Sequence, residues 1–243
     1  MIVLMTDFGE SEYVGMMKGV IATLSPSTRI EDLTHAIMPQ SVREGAWILL
    51  QSYRFFPAGT IFVCVVDPGV GTKRSAILVR TKNYVFIGPD NGLLCPAISE
   101  DGIEAIIEVN VTEPTSATFH GRDVFAKVGA FVAENLTEKL MQSRKDELDV
   151  VLYFNLEGRL GEIVHIDHFG NIITNLLPIF KTVYRLSYKE IQREISWFRT
   201  YEEGINRDIF LVTGSANTLE ISAKSQRADT ILDVKVGDRI SLE

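Results

Sequence analysis

The run Ile61-Phe62-Val63-Cys64-Val65-Val66 is continuously apolar and mostly β-branched. It reads as a strand buried on both faces, and a strand of that kind needs strand neighbours beside it and helices above and below. It breaks into Asp67-Pro68-Gly69-Val70-Gly71-Thr72-Lys73-Arg74, and Ser75 to Arg80 is strand-like again. A carboxylate therefore stands at the end of a buried strand, on a Gly-rich loop, with a guanidinium seven residues on. In open α/β sheets the carboxyl ends of strands are where ligands bind. Glycines in such a loop permit positive φ and a close approach to the backbone. Asp-Pro-Gly is equally ordinary turn chemistry, so the loop alone is as consistent with a plain connection as with a site. It is not a dinucleotide fingerprint, because Gly69-x-Gly71 leads into β-rich sequence where that motif needs a helix, and it lacks the P-loop spacing.

The flanking sequence extends the α/β reading. Ile2 to Met5 is a buried strand ending in Thr6-Asp7-Phe8-Gly9, and Tyr13 to Leu24 has helical spacing until Ser25-Pro26. Arg29 to Leu33 is a short strand. Ser41 with Glu44 three residues on suggests a capping box opening a helix that runs to about Phe55. This order of strand, helix, strand, helix, strand predicts a mostly parallel sheet with helices on both faces. Ser75 to Arg80 and Tyr84 to Ile87 suit a hairpin, Ile103 to Val109 another strand, and Val124 to Glu134 a helix. Thr137 to Asp149 is polar and charged and reads as a linker or solvated turn. Beyond it, Gly161–Ile166, Asn171–Leu176, Ile209–Thr213, Leu219–Ser222 and Asp238–Leu242 are short strand candidates, an all-β segment fitting a small barrel or sandwich. Two domains are expected, 1–154 and 155–243, with 184–206 unmatched to any element and read as a peripheral insertion.

Composition narrows the function classes. The 243 residues carry a formal net charge of −8, which argues against a nucleic-acid surface, where phosphates need a basic patch. No apolar run approaches the roughly 20 residues of a membrane span, and Met1 to Met5 has no signal-peptide layout. Cys64 and Cys95 give no disulfide framework. A cytoplasmic location is the expectation.

Asp7, Asp67 and Asp90-Asn91 each leave a strand end, and His120 stands at a helix N-terminus, so the topology could gather them around one crevice. Each has a structural reading too: Asp7 and His120 as helix-entry residues, Asp90-Asn91-Gly92 as turn chemistry. His35 beside Thr34 reads as a hydrogen-bonding residue. His165 and His168 flank Asp167, but positions three apart on a strand face opposite ways, and no metal site is expected. No Gly-x-Ser-x-Gly elbow or Cys–His pairing supports a hydrolase triad.

Taken in order, Thr6-Asp7-Phe8-Gly9, Asp67-Pro68-Gly69-Val70-Gly71-Thr72 before Arg74, Pro89-Asp90-Asn91-Gly92, Phe119-His120-Gly121-Arg122-Asp123 and Ile166-Asp167-His168-Phe169-Gly170-Asn171 resemble one family. It is the S-adenosyl-L-methionine (SAM) hydroxide adenosyltransferases, adenosine-forming SAM hydrolases related to the SAM-dependent fluorinase and chlorinase. The resemblance covers nearly the whole chain. It implies an N-terminal α/β domain and a C-terminal β-barrel in a homotrimer, with SAM between the N-terminal domain of one subunit and the C-terminal domain of its neighbour. It implies attack of water or hydroxide on C5′ of SAM to release adenosine and L-methionine, without metal or organic cofactor. The catalytic set it implies is Asp67, Arg74 and His120. By the same resemblance Asp7 meets the ribose hydroxyls, Val70, Gly71, Phe119 and Gly121 line the reacting centre, Asp167, Phe169 and Asn171 contact the methionine ammonium and the adenine region, and Ser215 belongs to the final adenine-binding segment.

Those residue types suit the reaction. A sulfonium is already a cationic leaving group, so the missing component at pH 7 is a nucleophile, which a base or a local cation supplies from water. The fluorinase carries tyrosine where this chain has Asp67, and a carboxylate there would repel a halide; the fluorinase's extra loop is also missing between Ala76 and Asp90. Halogenation is thus the lesser alternative, beside a SAM- or adenosine-binding module with little turnover.

Overall fold

The computed structural model describes residues 1–111 and 115–243. The chain divides into two compact units, Met1–Leu152 and Tyr153–Glu243.

The first unit is built on a seven-stranded sheet. Its strands are β1 (Ile2–Thr6), β2 (Ile30–Thr34), β3 (Ile61–Val65), β4 (Ala76–Thr81), β5 (Val85–Pro89), β6 (Ile103–Val111) and β7 (Leu140–Lys145), in the order β2-β1-β3-β5-β4-β6-β7. β1 pairs in parallel with β2 and β3, and β3 with β5. The remainder is antiparallel: β4 with β5 and β6, and β6 with β7. The sheet is therefore mixed, parallel only on the side that holds the expected site. The short Thr81–Tyr84 connection accounts for the change of direction, since a hairpin must reverse the chain whereas a parallel return needs a crossover.

Helices α1 (Glu12–Leu24) and α4 (Ala126–Ala133) cover one face of the sheet. Met17, Ile21, Phe125 and Phe131 pack there on Ile2, Leu4, Val63 and Val65. Helices α2 (Val42–Ser52) and α3 (Cys95–Asp101) cover the other, with Leu49, Tyr53 and Ile98 against Val3, Phe62, Cys64 and Phe86. β3 is buried on both faces along its whole length, as its sequence requires. Burial pushes the Cys64 thiol well above its ordinary range, as befits a small core residue. Helix α3, at seven residues, is too short to show a helical period in the sequence. The expected capping box is absent: Ser41 makes no side-chain cap bond, and Glu44 instead accepts the Met38 N–H at 2.8 Å.

The Thr137–Asp149 stretch is not a linker. Leu140–Lys145 is the edge strand β7, registered on β6 from Val111↔Leu140 to Ile106↔Lys145. Its polarity belongs to an exposed edge, which charged side chains protect from further pairing. Lys145 turns back into the unit, where Nζ lies 2.6 Å from Asp90 Oδ2 and 2.6 Å from Asp149 Oδ2. Asp90, which follows β5, is 1% exposed in its side chain. It anchors the edge and does not line the cleft described below.

The second unit is an antiparallel sheet of seven strands in the order β11-β10-β14-β8-β9-β13-β12. They are β8 (Leu160–Ile166), β9 (Ile172–Thr174), β10 (Val183–Tyr188), β11 (Ile191–Ser196), β12 (Phe210–Thr213), β13 (Leu219–Ser222) and β14 (Arg239–Leu242), with a short helix α5 (Ala228–Leu232). The sheet curls until its ends meet at a bridge between Trp197 and Leu211, so it is nearly barrel-shaped around Ile163, Tyr184, Leu186, Leu211, Ile221 and Ile240. The 184–206 segment is no peripheral insertion: β10 and β11 form a hairpin within it, and β10 pairs with β14. Tyr184, Leu186 and Tyr188 are buried in alternation with more exposed neighbours, the period-2 signal that marks a half-buried strand.

Removing one partner of a buried ion pair leaves an uncompensated charge, at a cost of about 3–5 kcal/mol. Lys145→Met should accordingly lower unfolding free energy in urea by about that much, and a loss below about 1 kcal/mol would show that Asp90 does not depend on Lys145.

Candidate active site

The carboxyl ends of β1 and β3 release their chains beside each other, since Thr6 is registered on Val65. Asp7 follows one strand and Asp67 is two residues beyond the other. A third segment, Ser116 to Arg122, arrives from the far side ahead of α4. Together they enclose a cleft of about 680 Å³ whose walls include Asp7, Asp67, Val70, Phe119, His120 and Gly121. This is the size of a small-molecule site, roughly 300–1,000 Å³.

The loop after β3 is held by its own turns: Val70 N–H donates to Asp67 O at 3.2 Å and Thr72 N–H to Gly69 O at 3.1 Å. Gly71 has φ +75°, and a Cβ there would come within 2.4 Å of the Ala117 carbonyl oxygen. Glycine at this position thus brings the Asp67 loop against the loop that carries His120. Gly71 itself stands outside the cleft wall.

Arg74 returns from the end of that loop to Asp67. Its Nε donates to Oδ1 at 2.9 Å and its Nη2 to Oδ2, a bidentate pair. The side chains are only 11% and 5% exposed, so solvent screens the pair little. The same Nη2 lies 2.9 Å from His120 Nδ1, and the guanidinium rests over the Phe125 ring at 5.2 Å. Arginine only donates, so Nδ1 must be the accepting nitrogen and the neutral ring carries its proton on Nε2. Burial, and then the Arg74 charge, hold the His120 pKa below the usual histidine value against the opposing pull of Asp67 and Asp123. Each Asp67 oxygen keeps a lone pair that Arg74 does not use.

Aromatic rings form one wall. Phe119 meets Tyr13 edge-on at 4.9 Å and Phe8 at 5.9 Å between centroids. Gly121 leaves room for them, since a Cβ there would sit 3.1 Å from Phe119 and 3.3 Å from Phe8. Asp7 is not a helix cap: α1 starts after Ser11, and Asp7 Oδ2 accepts the Gln40 N–H at 2.7 Å. His35 is structural, its Nδ1 2.9 Å from Thr6 Oγ1, while Phe8 N–H donates to Thr6 Oγ1 at 3.2 Å. Tyr13, Met16, Gln40 and Arg122 also line the cleft. One signal marks Tyr13 in the sequence: an aromatic standing off the apolar face of α1, and it is 45% exposed.

The second unit carries its own cleft of about 690 Å³, with Asp167, Phe169 and Asn171 in its wall beside Tyr201, Phe210 and Arg227. Asp167 organises the β8–β9 turn. Its Oδ1 accepts the N–H groups of Phe169 and Asn171, both at 2.9 Å, and its Oδ2 accepts Asn171 Nδ2 at 2.8 Å. Phe169 is thereby thrust outward, 74% exposed. Ser215 lies apart from this cleft, in the exposed β12–β13 turn. Nearby, Tyr201 Oη–H donates to Glu220 Oε1 at 2.7 Å. Burial holds the Glu220 carboxyl above its ordinary range despite the Tyr201 and Ser222 hydrogen bonds. Among the described residues no group of His, Cys, Asp and Glu could hold a metal ion. No helix among them is long and apolar enough to cross a membrane.

A two-unit chain with a carboxylate, a guanidinium and a neutral imidazole linked in series beside an aromatic wall is equipped to bind a small organic molecule and act on a water. Residues 2–141 match the SAM hydroxide adenosyltransferase N-terminal domain and residues 161–241 the C-terminal domain. The chain belongs to the SAM hydroxide adenosyltransferase family. It is 35% identical to the (R)-S-adenosyl-L-methionine hydrolase of Methanocaldococcus jannaschii, over 99% of this chain and 95% of that protein. The fluorinase of Actinopolyspora mzabensis is more distant, at 28% identity over 72% of this chain and 71% of its own length. Among solved structures, an uncharacterized conserved protein from Thermotoga maritima superposes with a TM-score of 0.90 at 33% identity, with both chains covered completely.

Because the Arg74 cation disfavours imidazolium, Arg74→Ala should raise the His120 pKa and free Nδ1. Titration of the imidazole by NMR checks this, and an unchanged or lower pKa would contradict the linkage.

Proposed function

We propose that the protein hydrolyses S-adenosyl-L-methionine to adenosine and L-methionine by attack of water at C5′. The observation that carries this reading is that Asp67 and His120 line a nucleoside-sized cleft and are linked by Arg74, which stands outside the cleft wall, in a chain of this family whose curated relatives are named (R)-S-adenosyl-L-methionine hydrolase.

The chemistry follows from the donor and acceptor inventory. Water oxygen forms a bond to C5′ as the C5′–S bond breaks, and its electron pair neutralises the sulfonium to the thioether of methionine. No acid is needed at sulfur. The water must lose a proton, and the free lone pairs of Asp67 are the available acceptors, since Nδ1 of His120 is occupied and Nε2 is already protonated. Arg74 fixes the carboxylate and favours hydroxide character nearby. Neutral His120 offers its Nε2–H to orient the same water. Rate then depends on holding oxygen opposite sulfur, about 3–3.5 Å from carbon. Asp7 suits the ribose hydroxyls, and the Phe8–Tyr13–Phe119 wall suits the apolar flank of the nucleoside. No metal or organic cofactor takes part in this scheme. Halogenation is the weaker reading, because Asp67 places a negative charge where a halide would have to sit.

The resemblance also supports a homotrimer, with Asp167, Phe169, Asn171 and Ser215 of one subunit completing the N-terminal cleft of its neighbour and receiving the methionine ammonium and adenine. An ammonium beside a carboxylate and a base beside an exposed ring are sound pairings.

Incubation with SAM, with adenosine followed by chromatography, tests the activity directly. Asp67→Asn and His120→Ala should lower kcat by roughly a hundredfold or more while calorimetric SAM affinity changes little, as expected when a group acts only on the water. Wild-type adenosine formation no higher than that of Arg74→Ala would contradict the reading, and loss of binding parallel to kcat would contradict the roles.

A further inference from the structure

The Pro89-Asp90-Asn91-Gly92 loop lies outside the cleft, and Asp90 is accounted for by Lys145. Asn91 is not, and its contacts lead to the catalytic loop. Its Nδ2–H donates to the Val66 carbonyl oxygen at 2.9 Å, and its Oδ1 accepts the Leu93 N–H at 3.2 Å. Val66 is fully buried. It stands one residue past the last register pair of β3 with β1, Thr6↔Val65, and three past the last with β5, Val63↔Ile87. Its carbonyl has therefore left the ladder, and a buried carbonyl requires a partner. The Asn91 amide is that partner. The approach is close throughout: a Cβ on Gly88, just before the loop, would meet the Cys64 carbonyl oxygen at 2.6 Å.

We infer that Asn91 is a positioning residue for hydrolysis, acting through the Val66–Asp67 peptide to aim the Asp67 carboxylate. The Val66 carbonyl and the Asp67 N–H share one rigid plane. Turning that plane rotates the Asp67 Cα–Cβ bond and displaces the carboxylate relative to Arg74 Nε and Nη2. Asn91 fixes the plane from behind while Leu93 N–H fixes the amide's orientation, so the donor cannot flip away. The inference rests on the hydrolase reading for its kinetic form, but its geometric content is independent of any reaction.

Two variants separate positioning from stability. Asn91→Ala removes both bonds. Asn91→Asp keeps the acceptor for Leu93 and turns an anionic oxygen toward Val66. Tyr84→Phe, which removes the 2.9 Å bond to the Phe56 carbonyl, is the control for a lost hydrogen bond elsewhere in the same unit. Assayed well below their melting temperatures, both Asn91 variants should lose roughly ten- to a hundredfold in kcat, the scale of an ångström-level misplacement, with KM for SAM within about threefold. Tyr84→Phe should keep its kcat. In an Asp67→Asn background, Asn91→Ala should add little, because the group it aims is already altered. A kcat no lower than that of Tyr84→Phe, or losses that multiply fully in the double variant, would overturn the inference. Absence of adenosine from the wild type would contradict the hydrolase reading instead. The Arg74 Nε–H resonance then decides the matter alone: its bond to Asp67 should weaken in Asn91→Ala, and an unshifted signal with unchanged solvent exchange would overturn the inference.

Discussion

A guanidinium has donors and no acceptor, and Arg74 directs its donors two ways. One pair of N–H groups grips Asp67, and the second hydrogen on Nη2 reaches His120 Nδ1. From this shared cation the rest of the site follows. It fixes which histidine nitrogen carries the proton, adds to burial in keeping the imidazole neutral, and leaves each carboxylate oxygen with an unused lone pair. Burial of the pair strengthens all of these effects by excluding the solvent that would screen them. Remove the cation and a buried carboxylate, an imidazole and a strand-end loop all lose their common partner.

The fold exists around that constraint in a specific sense. Asp7 and Asp67 come together because β1 and β3 are parallel neighbours in register. His120 is delivered from elsewhere in the sequence, by a turn whose approach depends on the absence of a side chain at Gly71. The antiparallel half of the sheet carries none of these groups, but β7 and Lys145 pin the β5 end from which Asn91 reaches Val66. Scaffold and site are joined by few bonds, each with a named donor.

Much of this was legible in the chain. The Ile61–Val66 run could only be a doubly buried strand, and the first three strands and two helices follow from apolar spacing. The reversal between β4 and β5 was legible in their short connection, but the antiparallel pairing of β6 and β7 was not, because those strands differ from parallel ones in pairing direction and not in composition. β7 was hidden by its polarity, which an edge strand shares with a linker. β10 was hidden only by lack of a matching motif, since Tyr184, Leu186 and Tyr188 alternate plainly. At the site, residue types and order pointed to Asp67, Arg74 and His120, but the serial hydrogen bonding did not follow from order. Phe8 and Gln40 line the cleft through tertiary packing that spacing does not encode. Asp90 looked like a site residue for the same reason that turns and sites look alike: both favour short polar side chains at strand ends.

The account turns on where the new bond forms. Hydrolysis run in heavy-oxygen water, with both products analysed by mass spectrometry, reads this directly. Attack at C5′ places the labelled oxygen on the 5′ position of adenosine and leaves methionine unlabelled with its thioether intact. Label in the amino-acid product, with methylthioadenosine in place of adenosine, would put the attack on the other side of the sulfur and contradict the roles assigned to Asp67, Arg74 and His120.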